Sequence, residues 1–181
     1  LMSFLGFLAI PGQNASAHSS CSTYGESYGY WIDCKNHSGN AFIQYNLGPM
    51  SSTYTNYVTG GETKWNNTGV VAINKAPAYS PNFIHTYSDK NSSANASFYD
   101  YTSNSSGHLT KWSIRMNTAN MDGRTPELNK TTLAHEFGHV IGLNDLTQSK
   151  NSVYLMYGYA TRSVTGPTST DITGANKALG N

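Results

Sequence analysis

The sequence predicts one α+β domain, and three observations predict it. A length of 181 residues suits a single domain and leaves little room for a second. Short strand-like runs fill much of the stretch from residue 41 to residue 117. From residue 125 onward, apolar side chains recur every three or four positions, which is the helical period.

The first run is residues 41–47 (AFIQYNL), stopped by Gly48 and Pro49. Ser51 or Ser52 then caps a helix running towards Trp65, with Tyr54, Tyr57, Val58 and Trp65 as a broken apolar face. Gly60 and Gly61 weaken that helix, because glycine is a poor helix former. Residues 70–74 (VVAIN) and 82–87 (NFIHTY) are rich in β-branched and aromatic side chains, and Pro77 and Pro81 mark the turn between them. Residues 96–101 (ASFYDY) form another strand between Ser- and Asn-rich segments, 88–95 and 102–107, that favour exposed loops. Residues 112–117 (WSIRMN) complete the series. Thr125, Pro126 and Glu127 supply a cap, a proline at the first helical position and an early acid, so a helix starts there or a few residues later. Leu133, Phe137, Val140 and Ile141 carry its apolar period to Ile141, where Gly142 suits a left-handed ending.

Composition narrows the function. Charged residues make up 12% and the formal net charge is +1, which argues against a basic nucleic-acid surface. With 13 Tyr, 3 Trp and 6 Phe the chain can fill a core despite a mean hydropathy of -0.46. No apolar run approaches the roughly 20 residues a membrane span requires. The apolar residues 1–10, followed by Pro11, Gly12 and the Ala15-Ser16-Ala17 triplet, read as the remnant of a secretory signal peptide, truncated at its start and cut after Ala17. The expected organisation is therefore a leader over 1–17 and a single domain over 18–181, secreted, extracellular and monomeric. Export places Cys21 and Cys34 in an oxidising compartment, so a disulfide is expected.

The chemistry is concentrated at His135-Glu136-Phe137-Gly138-His139. Residues four apart share a helix face with Cβ atoms about 5 to 6 Å apart, so both imidazoles can bind one ion. Glu136, offset by one position, can reach a water on that ion instead of the ion itself. Gly142 can turn the chain and bring Asp145 back as third ligand. No His follows His139, no Glu follows Glu136, and the only later aspartates are Asp145 and Asp171. This excludes a ligand set that needs a downstream Glu.

The stretch HEFGHVIGLND resembles the metzincin signature HExxHxxGxxH, with Asp in place of the last His. Met156, in LMY, resembles the Met-turn of that clan. The run LMYGYA and the later segment with Asp171, Gly174, Leu179 and Gly180 look most like matrixins, and an Asp third ligand resembles small secreted bacterial proteases of the snapalysin type. The resemblance covers about residues 131–180. It implies a twisted, mostly parallel sheet with an antiparallel edge strand, an active-site helix, a Met-turn and a C-terminal helix. It further implies His135, His139 and Asp145 as ligands of one catalytic Zn2+, Glu136 as general base and Met156 as a packing residue beneath the metal. Tyr157 and Tyr159 either line the pocket for the side chain after the scissile bond or are structural. Asp171 is expected to hydrogen-bond near the active-site helix, and the edge strand over 96–101 to pair with an extended protein or peptide substrate.

Other candidates are weaker. His85 and His108 lack the carboxylate cluster of a second zinc site, and residues 120–123 (NMDG) are at most a calcium loop. His18 and His37 carry no signal. The rival functions are a secreted binding or adhesion module with a structural zinc, which would not need Glu136, and a zinc hydrolase of non-peptide substrates.

Overall fold

The computed structural model describes residues 21–180, and the leader expected over 1–17 lies outside them. A short antiparallel hairpin, β1 (Tyr24–Gly25) and β2 (Tyr30–Trp31), opens the described chain. There follow β3 (Phe42–Leu47), α1 (Ser52–Asn66), β4 (Ala72–Lys75), β5 (Phe83–Tyr87), β6 (Ala96–Ser103), β7 (Leu109–Asn117), the short α2 (Thr118–Met121), α3 (Pro126–Ile141) and α4 (Ser169–Ala178). The main sheet has the order β4-β3-β5-β7-β6, parallel throughout except for β6, which runs antiparallel to β7 at one edge. The expected α+β class, mostly parallel sheet and antiparallel edge strand are all present.

Alternation along the strands directs the core to one side. Ile43 and Tyr45, Ile73, Ile84, and Trp112, Ile114 and Met116 are buried, and Tyr45 meets Phe137 of α3 with ring centroids 5.8 Å apart. The helices α1 and α3 lie side by side there, and the buried Trp65 donates its Nε1–H to the Ala134 carbonyl at 2.7 Å. Gly60 and Gly61, read above as a weakness, sit inside α1 where it crosses α3. A Cβ at Gly61 would stand 2.6 Å from Leu133 Cβ and 2.8 Å from Ala134 N, so the glycine permits a close approach of the two helices.

Two strands run longer than expected. β6 continues through Ser103, with Thr102 opposite Lys111 and its hydroxyl bonded to that of Thr110 at 2.9 Å; β7 begins at Leu109. The hairpin β1–β2 is too short to leave a periodic signal. It is closed by the Cys21–Cys34 disulfide, with Cα atoms 5.6 Å apart. No helix among the described residues is long and apolar enough to cross a membrane.

Candidate metal centre and active site

The helix α3 starts where its local chemistry dictates: Thr125 Oγ1 accepts from Leu128 N–H, Pro126 stands at the first helical position and Glu127 lies in the first turn. It ends at Gly142, whose φ of 120° a side chain would rarely tolerate. A Cβ at Gly142 would also collide with His37. The chain therefore turns after Ile141 and returns towards the helix.

Two imidazoles and a carboxylate meet as a result. One ligand atom from each of His135, His139 and Asp145 lies within 4.8 Å of the others, the one such group among the described residues. Asp145 Oδ1 stands 3.0 Å from His135 Nε2 and 3.6 Å from His139 Nε2, against the roughly 3.4 Å between donors of a tetrahedral ion held at about 2.1 Å. The other ring nitrogens are occupied: His135 Nδ1 lies 3.0 Å from the Leu155 carbonyl and His139 Nδ1 2.7 Å from that of Leu143. Those carbonyls require a proton on Nδ1, which leaves both Nε2 lone pairs aimed at the shared point. Burial and the neighbouring His135 hold His139 below the ordinary imidazole range despite Glu136 and Asp145, favouring the neutral form that binds a metal. Partial burial pushes Asp145 up, but a hydrogen bond from His135 when that ring is protonated, and the positive charges of His135, His139 and Arg162, outweigh it and hold the carboxyl at about 2. The donor set fits zinc.

Glu136 is buried beside these ligands, and its Oε2 accepts the Phe98 N–H of β6 at 2.7 Å. Burial raises its carboxyl above the usual range, with His139 opposing. Phe98 stacks on Tyr101 with centroids 4.6 Å apart and lies over His139 at 6.2 Å. A cleft of about 660 Å³ opens here, with β6 on one rim and residues 158–162 on the other, and His135, Glu136, His139 and Asp145 among the residues lining it.

Met156 is buried and packs against Gly138, where any Cβ would overlap its sulfur. Asp171, fully buried at the start of α4, accepts the N–H groups of Leu155 at 3.0 Å and Met156 at 3.3 Å and caps its own helix with Thr168. It thereby fixes the segment whose Leu155 carbonyl orients His135. Tyr159 is exposed and lines the cleft, whereas Tyr157 is 8% exposed and stands behind it with ring centroids 5.2 Å apart.

Several contributors carry no sequence signal. Glu26 accepts from the N–H groups of Thr147 (3.0 Å) and Gln148 (2.9 Å) and from the Thr147 hydroxyl (2.8 Å), pinning the chain just beyond Asp145. On its other side that loop is held by Asn144 N–H to the Trp31 carbonyl at 2.7 Å, Asp33 N–H to the Gly142 carbonyl at 2.8 Å, and an Ile32–Leu143 bridge. Arg162 also lines the cleft. The other metal candidates do not assemble in this way. His85 bonds the Tyr99 hydroxyl at 2.9 Å, while His108 lies against His37. Within residues 120–123, Asn120 donates to the carbonyls of Ser92 and Ala94, and Asp122 accepts the Tyr54 hydroxyl.

No protein-family model matches the chain, and no curated protein matches it. Among solved structures it is similar to high choriolytic enzyme 1, a hatching enzyme zinc-protease from Oryzias latipes (Medaka fish). That likeness has 14% identity and a TM-score of 0.47, over 90% of this chain and 99% of that one.

Proposed function

We propose that this protein is a secreted, monomeric, zinc-dependent endopeptidase of the metzincin type, matrixin-like with an Asp third ligand, that cuts extended protein or peptide chains. One observation carries the reading: ligand atoms of His135, His139 and Asp145 converge within 4.8 Å in an open cleft that Glu136 also lines. Three protein donors facing a cleft are the arrangement of a catalytic site, whereas structural zinc is closed by four. Bound there, zinc would supply the Lewis acid that polarises the scissile carbonyl and acidifies the attacking water.

Glu136 accepts a proton from that water and passes it to the leaving amine. Burial strengthens its hold on the proton between the two transfers, and the Phe98 N–H fixes the orientation of the carboxylate. The outer edge of β6 offers main-chain partners to an extended substrate, so backbone pairing secures it and tolerates varied sequence. The Cys21–Cys34 disulfide suits an oxidising, extracellular setting.

Metal analysis of the wild type, Asp145→Ala and Glu136→Gln, with casein cleavage on the same samples, tests the reading. The expected result is one zinc per chain in the wild type and in Glu136→Gln, and a sharp loss in Asp145→Ala. Cleavage should be abolished by a chelator and reduced about 100-fold or more in Glu136→Gln. A Glu136→Gln protein that cuts at the wild-type rate overturns the mechanism. Zinc retained in Asp145→Ala removes the third ligand, and zinc without cleavage favours the binding module.

A further inference from the structure

Beyond the residues assigned to metal and proton transfer, the cleft contains a cation that has not been given a task. Arg162 lies in the loop after Met156, and the Thr131 hydroxyl fastens that loop to α3 by donating to the Thr165 carbonyl at 2.9 Å. The Arg162 Nε–H is satisfied by the Tyr157 carbonyl at 3.2 Å, which aims the side chain along the cleft that it lines. Among the described residues, no carboxylate oxygen comes within 4.0 Å of its guanidinium; the ion pairs of this chain lie elsewhere or at the ligand cluster.

A second cation stands nearby and is equally unneutralised. Arg124 donates only to neutral oxygens, Asn129 Oδ1 at 3.1 Å and Thr132 Oγ1 at 3.2 Å. Thr132 lines the cleft one helical turn before Glu136, on the same face of α3. Arg162 feels the charges of Glu136, Asp145, Arg124 and Asp171, none of the carboxylates close enough to pair with it. Glu136 and Asp145 are committed to proton transfer and metal, and the buried Asp171 is saturated by Thr168, Leu155 and Met156. A partly buried guanidinium that lacks an anion of its own is a receptor for one, because a charge-assisted hydrogen bond there replaces water the cleft has already stripped away.

We infer that Arg162 selects substrates carrying an aspartate or glutamate side chain on the leaving-amine side of the scissile bond. That side follows from Glu136, which lines the same cleft as Arg162, feels its charge and must stand next to the amine it protonates. This rests on the endopeptidase reading.

The test uses C-terminally amidated fluorogenic peptides, identical except for Glu, Leu or Lys at that position, so that the variable side chain is the carboxylate under comparison. Wild-type protein should show kcat/KM for Glu about tenfold or more above that for Lys, the scale of a hydrogen bond between charged groups. Arg162→Gln should bring the ratio near one, and Arg162→Glu should invert it. Because each ratio is taken within one sample, a partly folded variant lowers both rates and leaves the ratio readable. Binding of the same peptides to Glu136→Gln, followed by fluorescence polarisation, gives the order of preference without turnover. Wild-type protein that cuts casein but accepts the three peptides equally overturns the selection and leaves the endopeptidase standing, as does a ratio unmoved by Arg162→Glu. Glu136→Gln that prefers the Glu peptide, from a wild type that cuts none, supports the anion pocket and overturns the endopeptidase.

Discussion

Two parts of one site are held in opposite ways. His135 and His139 project from consecutive turns of α3, whose own hydrogen bonds fix their spacing, and nearby carbonyls fix the rings. Asp145 lies beyond the end of the helix in a loop without regular structure. Its position is borrowed from the disulfide-closed hairpin at the start of the described chain: Trp31 and Asp33 hold it from one side, and Glu26, 121 residues from Thr147, from the other. Local structure thus presets two of the candidate ligands, while the third depends on the tertiary fold.

Removing the disulfide should break this contrast most strongly. Cys21→Ser with Cys34→Ser frees a segment of separation 13 and should cost about 3 kcal/mol on the chain-entropy model. Urea midpoints should fall, and zinc affinity, read by competition with a chelator, should fall with them while far-UV circular dichroism keeps the α3 signal. An unchanged zinc affinity would mean that the hairpin does not hold the loop. Asp171→Asn comes next, since it weakens the clamp on Leu155 and Met156 and so the backing of His135. We expect about 2 kcal/mol in stability and roughly tenfold in zinc affinity, measured the same way.

Glu26→Gln should have the smallest effect, a few-fold weaker zinc binding that disappears in an Asp145→Ala background, because the two changes act on one ligand. It also has a pH signature. The N–H group of Gln148 leads the bonds that hold the Glu26 carboxyl below its usual range. A depressed carboxyl stabilises the fold fully above its unfolded value and loses that contribution as pH falls through the folded one. The stability gap between wild type and Glu26→Gln, from urea unfolding of zinc-free protein, should therefore be constant at neutral pH and close on acidification below the ordinary glutamate value. A gap independent of pH would remove Glu26 from the support of the loop.

This division also explains what could be read from the sequence. The spacing of His135 and His139, the offset of Glu136 and the Gly142 turn are short-range facts that determine a helix and its ending, so they are legible in a linear string. The strands are legible too, through their β-branched and aromatic runs, although the Ser/Thr/Asn-rich segment of Thr102 and Ser103 favours a loop and becomes strand only through Lys111 and Leu109 across β7. Glu26, Trp31 and Arg162 act through neighbours far along the chain or through a cleft that exists only once folded, and no local pattern announces them. Gly61 illustrates the opposite error: its propensity predicts a weak helix, whereas its missing side chain is what lets α1 and α3 touch. The pairing of Tyr157 with Tyr159 was likewise visible only as two tyrosines, without the order in which one stands behind the other.

The irregularity in β6 has a consequence for how the molecule avoids itself. The strand is a sheet edge among the described residues, and it pairs regularly with β7 only from Ala96 to Tyr99 before its register shifts around Asp100, whose φ of 48° bends the backbone. A long flat edge would recruit the same edge of another copy as readily as a guest peptide. With the ladder interrupted after four residues and the Phe98 N–H already given to Glu136, the rim can hold a short extended segment but offers a second sheet too little straight backbone to dock against. An edge open to a peptide would, by the same irregularity, resist pairing with the edge of another copy.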